Sequence, residues 1–189
     1  MLVSVFGFAQ AEKDSLLRRD AAQIKGQLNF MLYLHKIAMK GKCMGYMDKL
    51  KSDREFGNIY ANEIVLNNPE PSLDVTQYLG RVPNSWDEFM AVVYNRNFEA
   101  IISAIEKYGY LTVKRFPGSI GLTSPVTFVM YVDKDKRKAY HKLLKKEYKI
   151  KNLSKEEYES SMFFTNINGA SREEFNRHFS KAKLEFETN

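Results

Sequence analysis

Between residues 134 and 151 the chain gathers side chains that bind anions. Lys134-Asp135-Lys136-Arg137-Lys138 is followed by His141, Lys142, Lys145, Lys146, Lys149 and Lys151, with Tyr140 and Tyr148 interleaved. On a helix, several of these cations share one solvent-facing side. Such a face holds phosphates by direct ion pairs and by release of condensed counterions. The same charge attracts anionic lipid or an acidic protein. It also serves plain solubility, and no base-reading motif accompanies it. The candidate binding residues are Lys134, Lys136, Arg137, Lys138, His141, Lys142, Lys145 and Lys149.

A catalytic alternative draws on the same stretch. Tyr131, Asp133 and His141 would have to converge on a cleft within hydrogen-bond reach of one another. Recognisable catalytic patterns are missing. Gly118-Ser119-Ile120-Gly121 lacks the lysine and spacing of a phosphate loop, and Ser119 is not in a nucleophile elbow. His35, His141 and His178 lie far apart, without the four-residue spacing of a metalloprotease helix. Asp133 and Asp135 resemble the start of a calcium loop, but the later oxygen ligands and the central glycine are absent. His35, close to an apolar stripe, reads as a packed, hydrogen-bonded residue, with no metal-spaced carboxylate or cysteine beside it. The single cysteine, Cys43, reads as a small buried or half-buried thiol, and it excludes an intrachain disulfide or a multi-cysteine zinc site. No metal and no cofactor is expected.

These residues need elements to position them. At 44% hydrophobic and 13% aromatic residues, the chain can bury enough apolar surface to offset the entropy of ordering, which sets disorder aside. Its formal net charge of +6, with 23 acidic residues interleaved among 29 basic ones, permits a nucleic-acid partner without implying one. Leu16, Leu17, Ala21, Ile24, Leu28, Met31, Leu32 and His35 recur at three- and four-residue steps, so one helix is expected over residues 12–40, ended by glycine at Gly41–Gly45. Tyr46 to Phe56 suits a short helix. Asn67-Asn68-Pro69-Glu70-Pro71 breaks the pattern, and residues 67–83 read as an ordered loop with one short turn.

Ser85-Trp86-Asp87-Glu88 is a capping box opening a helix with Trp86, Phe89, Met90, Val93 and Tyr94 on one side. The polar run Asn95-Arg96-Asn97 reads as an interruption; Phe98, Ile101, Ile102, Ile105 and Tyr108 then resume the buried face up to Gly109. Tyr110 to Lys114 alternates as a short strand would. Phe116-Pro117-Gly118 turns the chain, and Pro125 can open an apolar helix through Val132. The basic helix follows, with Tyr140, Leu143, Leu144 and Tyr148 inward. Ser154-Lys155-Glu156-Glu157 and Ser171-Arg172-Glu173-Glu174 are further capping boxes, separated by a turn at Asn166-Ile167-Asn168-Gly169.

The N-terminus is apolar from Leu2 to Phe8, continues with Ala9-Gln10-Ala11 and switches to Glu12-Lys13-Asp14. An apolar run, a small-x-small site and a charged start are the back half of a secretory signal, without its basic n-region. A first turn of helix or a short strand is the alternative. No stretch reaches the length of a transmembrane helix.

The segment Asn97-Phe98-Glu99-Ala100-Ile101-Ile102-Ser103-Ala104-Ile105-Glu106-Lys107-Tyr108-Gly109-Tyr110 resembles the "N-x-x-x-L-x-x-I-I-x-K-Y-G-W-P" segment of a family of uncharacterised bacterial proteins, domain of unknown function 6624. A Gly-containing turn, an apolar helix, an acid at Asp133, a helix into Leu143-Leu144-Lys145-Lys146, and Asn152-Leu153-Ser154-Lys155-Glu156-Glu157-Tyr158 follow in similar order. The resemblance spans about residues 95–165. The family pattern carries a His just before the Asp, where this chain has Tyr131-Val132-Asp133, and its closing "Y-G-T-Q"-like segment has no counterpart. The resemblance implies export and assigns no activity.

The expected fold is therefore mainly α: one multi-helix domain over residues 12–189, with room for one short β element, preceded by a signal-peptide remnant at residues 1–11. The expected role is a non-enzymatic binding or interaction protein, periplasmic or secreted, whose partner is a protein or an anionic ligand. The alternatives are an enzyme using Tyr131, Asp133 and His141, and a cytoplasmic polyanion- or nucleic-acid-binding protein using the basic helix.

Overall fold

Apolar residues at helical spacing dominate the chain, and helices are what it forms. The structure, a computed structural model, describes residues 3–44, 48, 52–112, 115 and 125–166. Its helices are α1 (Val3–Arg19), α2 (Ala21–Cys43), α3 (Phe56–Ile59, continuing as a π-helical stretch Tyr60–Val65), α4 (Val75–Leu79), α5 (Trp86–Tyr108), a 3-10 turn (Pro125–Phe128), α6 (Lys134–Lys149) and α7 (Lys155–Thr165). The fold is mainly α, and no strand occurs among the described residues. The helices fall into two compact units, Met1–Phe128 and Val129–Asn189.

In the first unit α2 and α5, each 23 residues long, make the central pair. Phe30, Met31, Leu34 and Ala38 on α2 and Phe89, Val93, Ile101 and Ile105 on α5 are almost fully buried. The expected break at Asn95-Arg96-Asn97 does not occur. Asn97 points inward, donates from Nδ2 to the Met31 carbonyl at 3.1 Å and accepts from the Tyr78 hydroxyl at 2.8 Å. A polar residue in the stripe is tolerated because both ends of its amide are satisfied.

The helix expected over residues 12–40 is divided at Asp20, whose side chain is engaged elsewhere. It accepts from Arg19 at 2.6 Å and from the Tyr108 hydroxyl at 2.8 Å, and it meets the Lys107 ammonium at 3.3 Å. Those bonds, Arg19 first and Tyr108 next, hold the Asp20 carboxyl well below the usual range. Nearby, Arg115 donates to the Tyr108 and Tyr110 carbonyls at 2.6 and 2.7 Å and pairs with Asp14 at 2.7 Å. The last carbonyl of α5 and that of Tyr110 just beyond it are thereby tied to α1 through Arg115.

α2 ends within Gly41–Gly45 as expected, at Cys43, with Gly41 itself still in the helix. That glycine is buried mid-turn, where an added Cβ would lie 2.6 Å from Cε3 of Trp86. Only a glycine admits the indole there. Cys43 is exposed rather than buried. Trp86 donates from its indole to the Ser52 hydroxyl at 2.7 Å and from its backbone to Asp53 at 2.8 Å. Ser85 caps α5 as expected, accepting from the Glu88 amide, but Glu88 reaches back to the amide of Asn84, one residue beyond the cap.

Other expectations meet mixed outcomes. Residues 67–74 form turns knitted by Asn68, whose side chain bonds the carbonyls of Glu70 and Leu73 and the amide of Glu70. Tyr110 to Thr112 are irregular, and residues 113 and 114 lie outside the described ones. The apolar helix expected from Pro125 to Val132 is one 3-10 turn followed by irregular chain. The turns at Phe116-Pro117-Gly118 and at residues 167–169, and the capping box at Ser171, lie outside the described residues. The expected cleavage point after Ala11 falls within α1.

Candidate functional site

The second unit positions the basic residues through two local devices. Asp133 caps α6 by accepting from the Lys136 amide at 2.9 Å, a bond that holds its carboxyl below the usual range. At the other end Lys151 takes a left-handed conformation, φ 62°. The Asn152 amide then donates to the Glu147 carbonyl at 3.0 Å, while its side chain donates to the Glu147 carboxylate at 2.6 Å. Ser154 and Glu157 then form a complete capping box that starts α7. The short return makes α6 and α7 an antiparallel pair.

The buried face of α6 is formed by Tyr140, Leu144 and Glu147. Tyr148 was expected inward with Tyr140 and Leu144 but is 37% exposed, and Leu143 is half-buried. The reason is rotation. At about 100° per residue, 140, 144 and 147 cluster on one stripe, and 148, though a four-residue step from 144, sits at its edge, about 70° from the centre.

The opposite face carries the charge. α6 holds eight Lys and Arg against two acids, Asp135 and Glu147. That surplus of six equals the formal net charge of the whole chain, +6. Lys134, Lys138, His141, Lys145 and Tyr148 follow one another at steps of four and three along one face. Lys134, Lys142, Lys145 and Lys149 are exposed and make no ion pair among the described residues. Lys136 pairs with Asp133 at 3.7 Å and Lys138 with Asp135 at 2.9 Å, both on the exposed surface.

Two contacts join this face to α7. His141 Nε2 lies 2.5 Å from the Thr165 hydroxyl, and the Tyr148 ring stacks on Tyr158, centroids 4.6 Å apart and planes 14° from parallel. The Thr165 hydroxyl also lies 2.8 Å from the Ser161 carbonyl, which can only accept. The hydroxyl proton therefore goes to Ser161, and His141 Nε2 donates to Thr165. That direction leaves Thr165 without a base on the imidazole to activate it, and leaves Nδ1 as the titrating nitrogen. Burial, then the charge of Arg137, lowers the His141 pKa from its ordinary value.

At the His141 end of the seam lies a cleft of about 340 Å³ lined by Lys134, Arg137, Lys138, His141, Thr165 and Asn166. Four of the sequence-selected residues thus converge, whereas Lys136, Lys142, Lys145 and Lys149 lie outside the lining. Neither Tyr131 nor Asp133 lines the cleft, and the Asp133 carboxylate is occupied as a helix cap. Thr165 and Asn166 were missed in the sequence, since only the return of α7 brings them beside α6. A second cleft in the first unit, about 240 Å³, contains Arg81 and Arg96. Each of those is already paired, with Glu88 at 3.1 Å and with Glu99 at 3.3 Å.

Among the described residues no group of three His, Cys, Asp or Glu side chains could hold a metal ion. Nor is any helix among them long and apolar enough to cross a membrane. The site belongs to a mainly α chain with a cationic seam between two antiparallel helices. Comparison with protein-family models, with curated proteins and with solved structures finds no match.

Proposed function

We propose that this is a non-enzymatic binding protein whose ligand carries phosphate or a similar oxyanion, held in the cleft between α6 and α7. The observation that carries the reading is the lining: Lys134, Arg137, Lys138 and His141 face a shared space with the Thr165 hydroxyl and Asn166, and among the described residues no carboxylate lines it. An oxyanion there gains charge-assisted hydrogen bonds from Arg and Lys, stronger than those between neutral groups. Partial enclosure raises their worth above that of lysines spread over open surface.

The test is calorimetric titration of pyrophosphate into the whole protein at low salt. The expected result is binding that weakens about tenfold or more in Arg137→Ala and Lys138→Ala, each lost charge-assisted contact being worth roughly 1.5–3 kcal/mol. Lys25→Ala, an exposed cation on α2, should bind as the parent does. Absence of binding, or equal loss in the Lys25 variant, would sink the reading.

Export is a separate proposal, resting on the apolar start and the small-residue site at Ala9-Gln10-Ala11. A chain beginning at Glu12 keeps Asp14 and its ion pair with Arg115. N-terminal sequencing of the native product decides it: a start at Glu12 supports export, and retention of Met1 or Leu2 removes it.

A further inference from the structure

The cleft accounts for only one end of the seam. Beyond His141 the same face continues through Lys145 to Tyr148, two helical turns or about 10 Å further along the axis. Among the described residues Tyr148 is one of the few large apolar side chains left exposed, and it is not loose: its ring lies nearly parallel to that of Tyr158. Phosphate ligation thus stands at one end of a line of cations and a fixed aromatic surface at the other.

A linear polymer with repeating phosphates and flat rings matches that order. Single-stranded nucleic acids are held elsewhere by this combination, a cationic track with aromatic rings on which bases stack without sequence preference. An anionic membrane fits less well. Interfacial helices present a broad apolar face, whereas α6 exposes only Tyr148 and the small Ala139 among its apolar residues, the others being turned inward or half-buried. An acidic protein would use the lysines but has no need of a ring stack at the end of the track.

We propose that the ligand of the seam is a single-stranded nucleic acid, with a phosphate in the Lys134–His141 cleft, the strand passing Lys145, and a base stacked against the Tyr148–Tyr158 pair. This rests on the anion-binding reading above and adds the polymer and its base. No sequence is read, because the face offers cations and a ring rather than paired donors and acceptors set for a base edge.

The experiment compares a labelled oligothymidylate with an abasic deoxyribose-phosphate strand of equal length by fluorescence anisotropy on the full chain. Both carry the same phosphates, so any difference belongs to the bases. The oligothymidylate should bind about tenfold more tightly, within the range of one base stacked on an aromatic ring. Tyr148→Ala should erase that difference and leave abasic-strand binding unchanged, and Tyr148→Phe should retain it. Tyr148→Phe should melt near the parent temperature, and Tyr148→Ala, which loses the stack on Tyr158, below it but still folded at the assay temperature, which circular dichroism checks.

Equal affinity for the two strands in the parent protein overturns the proposal. So does a base preference that survives Tyr148→Ala, or a duplex or phosphatidylserine vesicle bound as tightly as the single strand. Pyrophosphate titration of the same preparation separates the two levels. Pyrophosphate bound without base preference removes the nucleic acid and keeps the anion site; no binding of either removes both.

Discussion

The phenol of Tyr78 on α4 donates to Oδ1 of Asn97 on α5 across 2.8 Å, and the Asn97 amide passes on to the Met31 carbonyl at 3.1 Å on α2. Three helices therefore meet at one fully buried amide. Burial also pushes the Tyr78 hydroxyl well above its ordinary pKa, so it stays a neutral donor throughout the physiological range. Removing the amide strands the Tyr78 hydroxyl and takes a second bond from the Met31 carbonyl, which keeps its place in the ladder of α2. Asn97→Ala should cost about 1–3 kcal/mol, the cost of a stranded buried polar group. Asn97→Leu should do no better, because it fills the space without satisfying the hydroxyl left behind. Urea unfolding monitored by circular dichroism checks this; a loss below about 0.5 kcal/mol would mean the amide is not a structural joint.

Gly41 makes the second prediction. Its α-carbon lies under the Trp86 indole, which is itself packed edge-on against Phe56 and Phe89 and bonded to Ser52. The ring has no free direction in which to open a 2.6 Å approach to an ordinary contact distance. Gly41→Ala should therefore destabilise by about 1–3 kcal/mol as overpacking, although alanine is the better helix former. An unchanged or raised melting temperature would show that α2 can shift away from the ring.

What the sequence disclosed and what it hid divide by distance along the chain. The capping box at Ser154 and Glu157 was readable because both partners sit within three residues, and local geometry decides it. Asn97 reads as an interruption because the groups that satisfy it lie 19 and 66 residues away. The packing role of Gly41 is hidden for the same reason: what it accommodates is Trp86, distant in sequence. The cations of the cleft were legible as a helical run, but their convergence with Thr165 and Asn166 depends on α7 folding back. Hydrophobicity alone places Tyr148 inside, yet the stripe of Tyr140, Leu144 and Glu147 claims the buried face. Nothing in that run singles out the glutamate as the inward residue until Asn152 is seen bonded to it.

His35 supplies a pH dependence. It is buried between Tyr94 and Phe128, rings 5.4 and 5.8 Å away, and burial followed by the charge of Lys42 lowers its pKa from 6.5 to about 4. The folded protein thus favours neutral imidazole, while the unfolded chain takes up a proton near pH 6.5. Stability from this group is complete above pH 6.5 and is lost as pH falls toward about 4. The full loss amounts to about 3 kcal/mol. Urea midpoints measured across that window should fall in the parent and fall less in His35→Phe. Parallel pH profiles for the two proteins would mean that His35 is protonated without cost in the fold.

His141 gives the opposite linkage, read in binding rather than folding. The cleft around it holds Lys134, Arg137 and Lys138 from its own helix and the uncharged Thr165 and Asn166 from α7, and in the empty site burial, then the charge of Arg137, lowers its pKa. An oxyanion among those residues favours the imidazolium, which then adds a donor at Nδ1 while Nε2 still serves Thr165. Binding must take up a proton between the free and the occupied pKa, and affinity must rise as pH falls through that interval. Sulfate is the suitable probe, because its charge does not change near neutrality. Its affinity should increase severalfold from about pH 8 to about pH 5.5. His141→Gln, which keeps a hydrogen-bonding side chain without the titration, should bind sulfate with little pH dependence. A profile in the parent as flat as in the glutamine variant would place the anion away from His141.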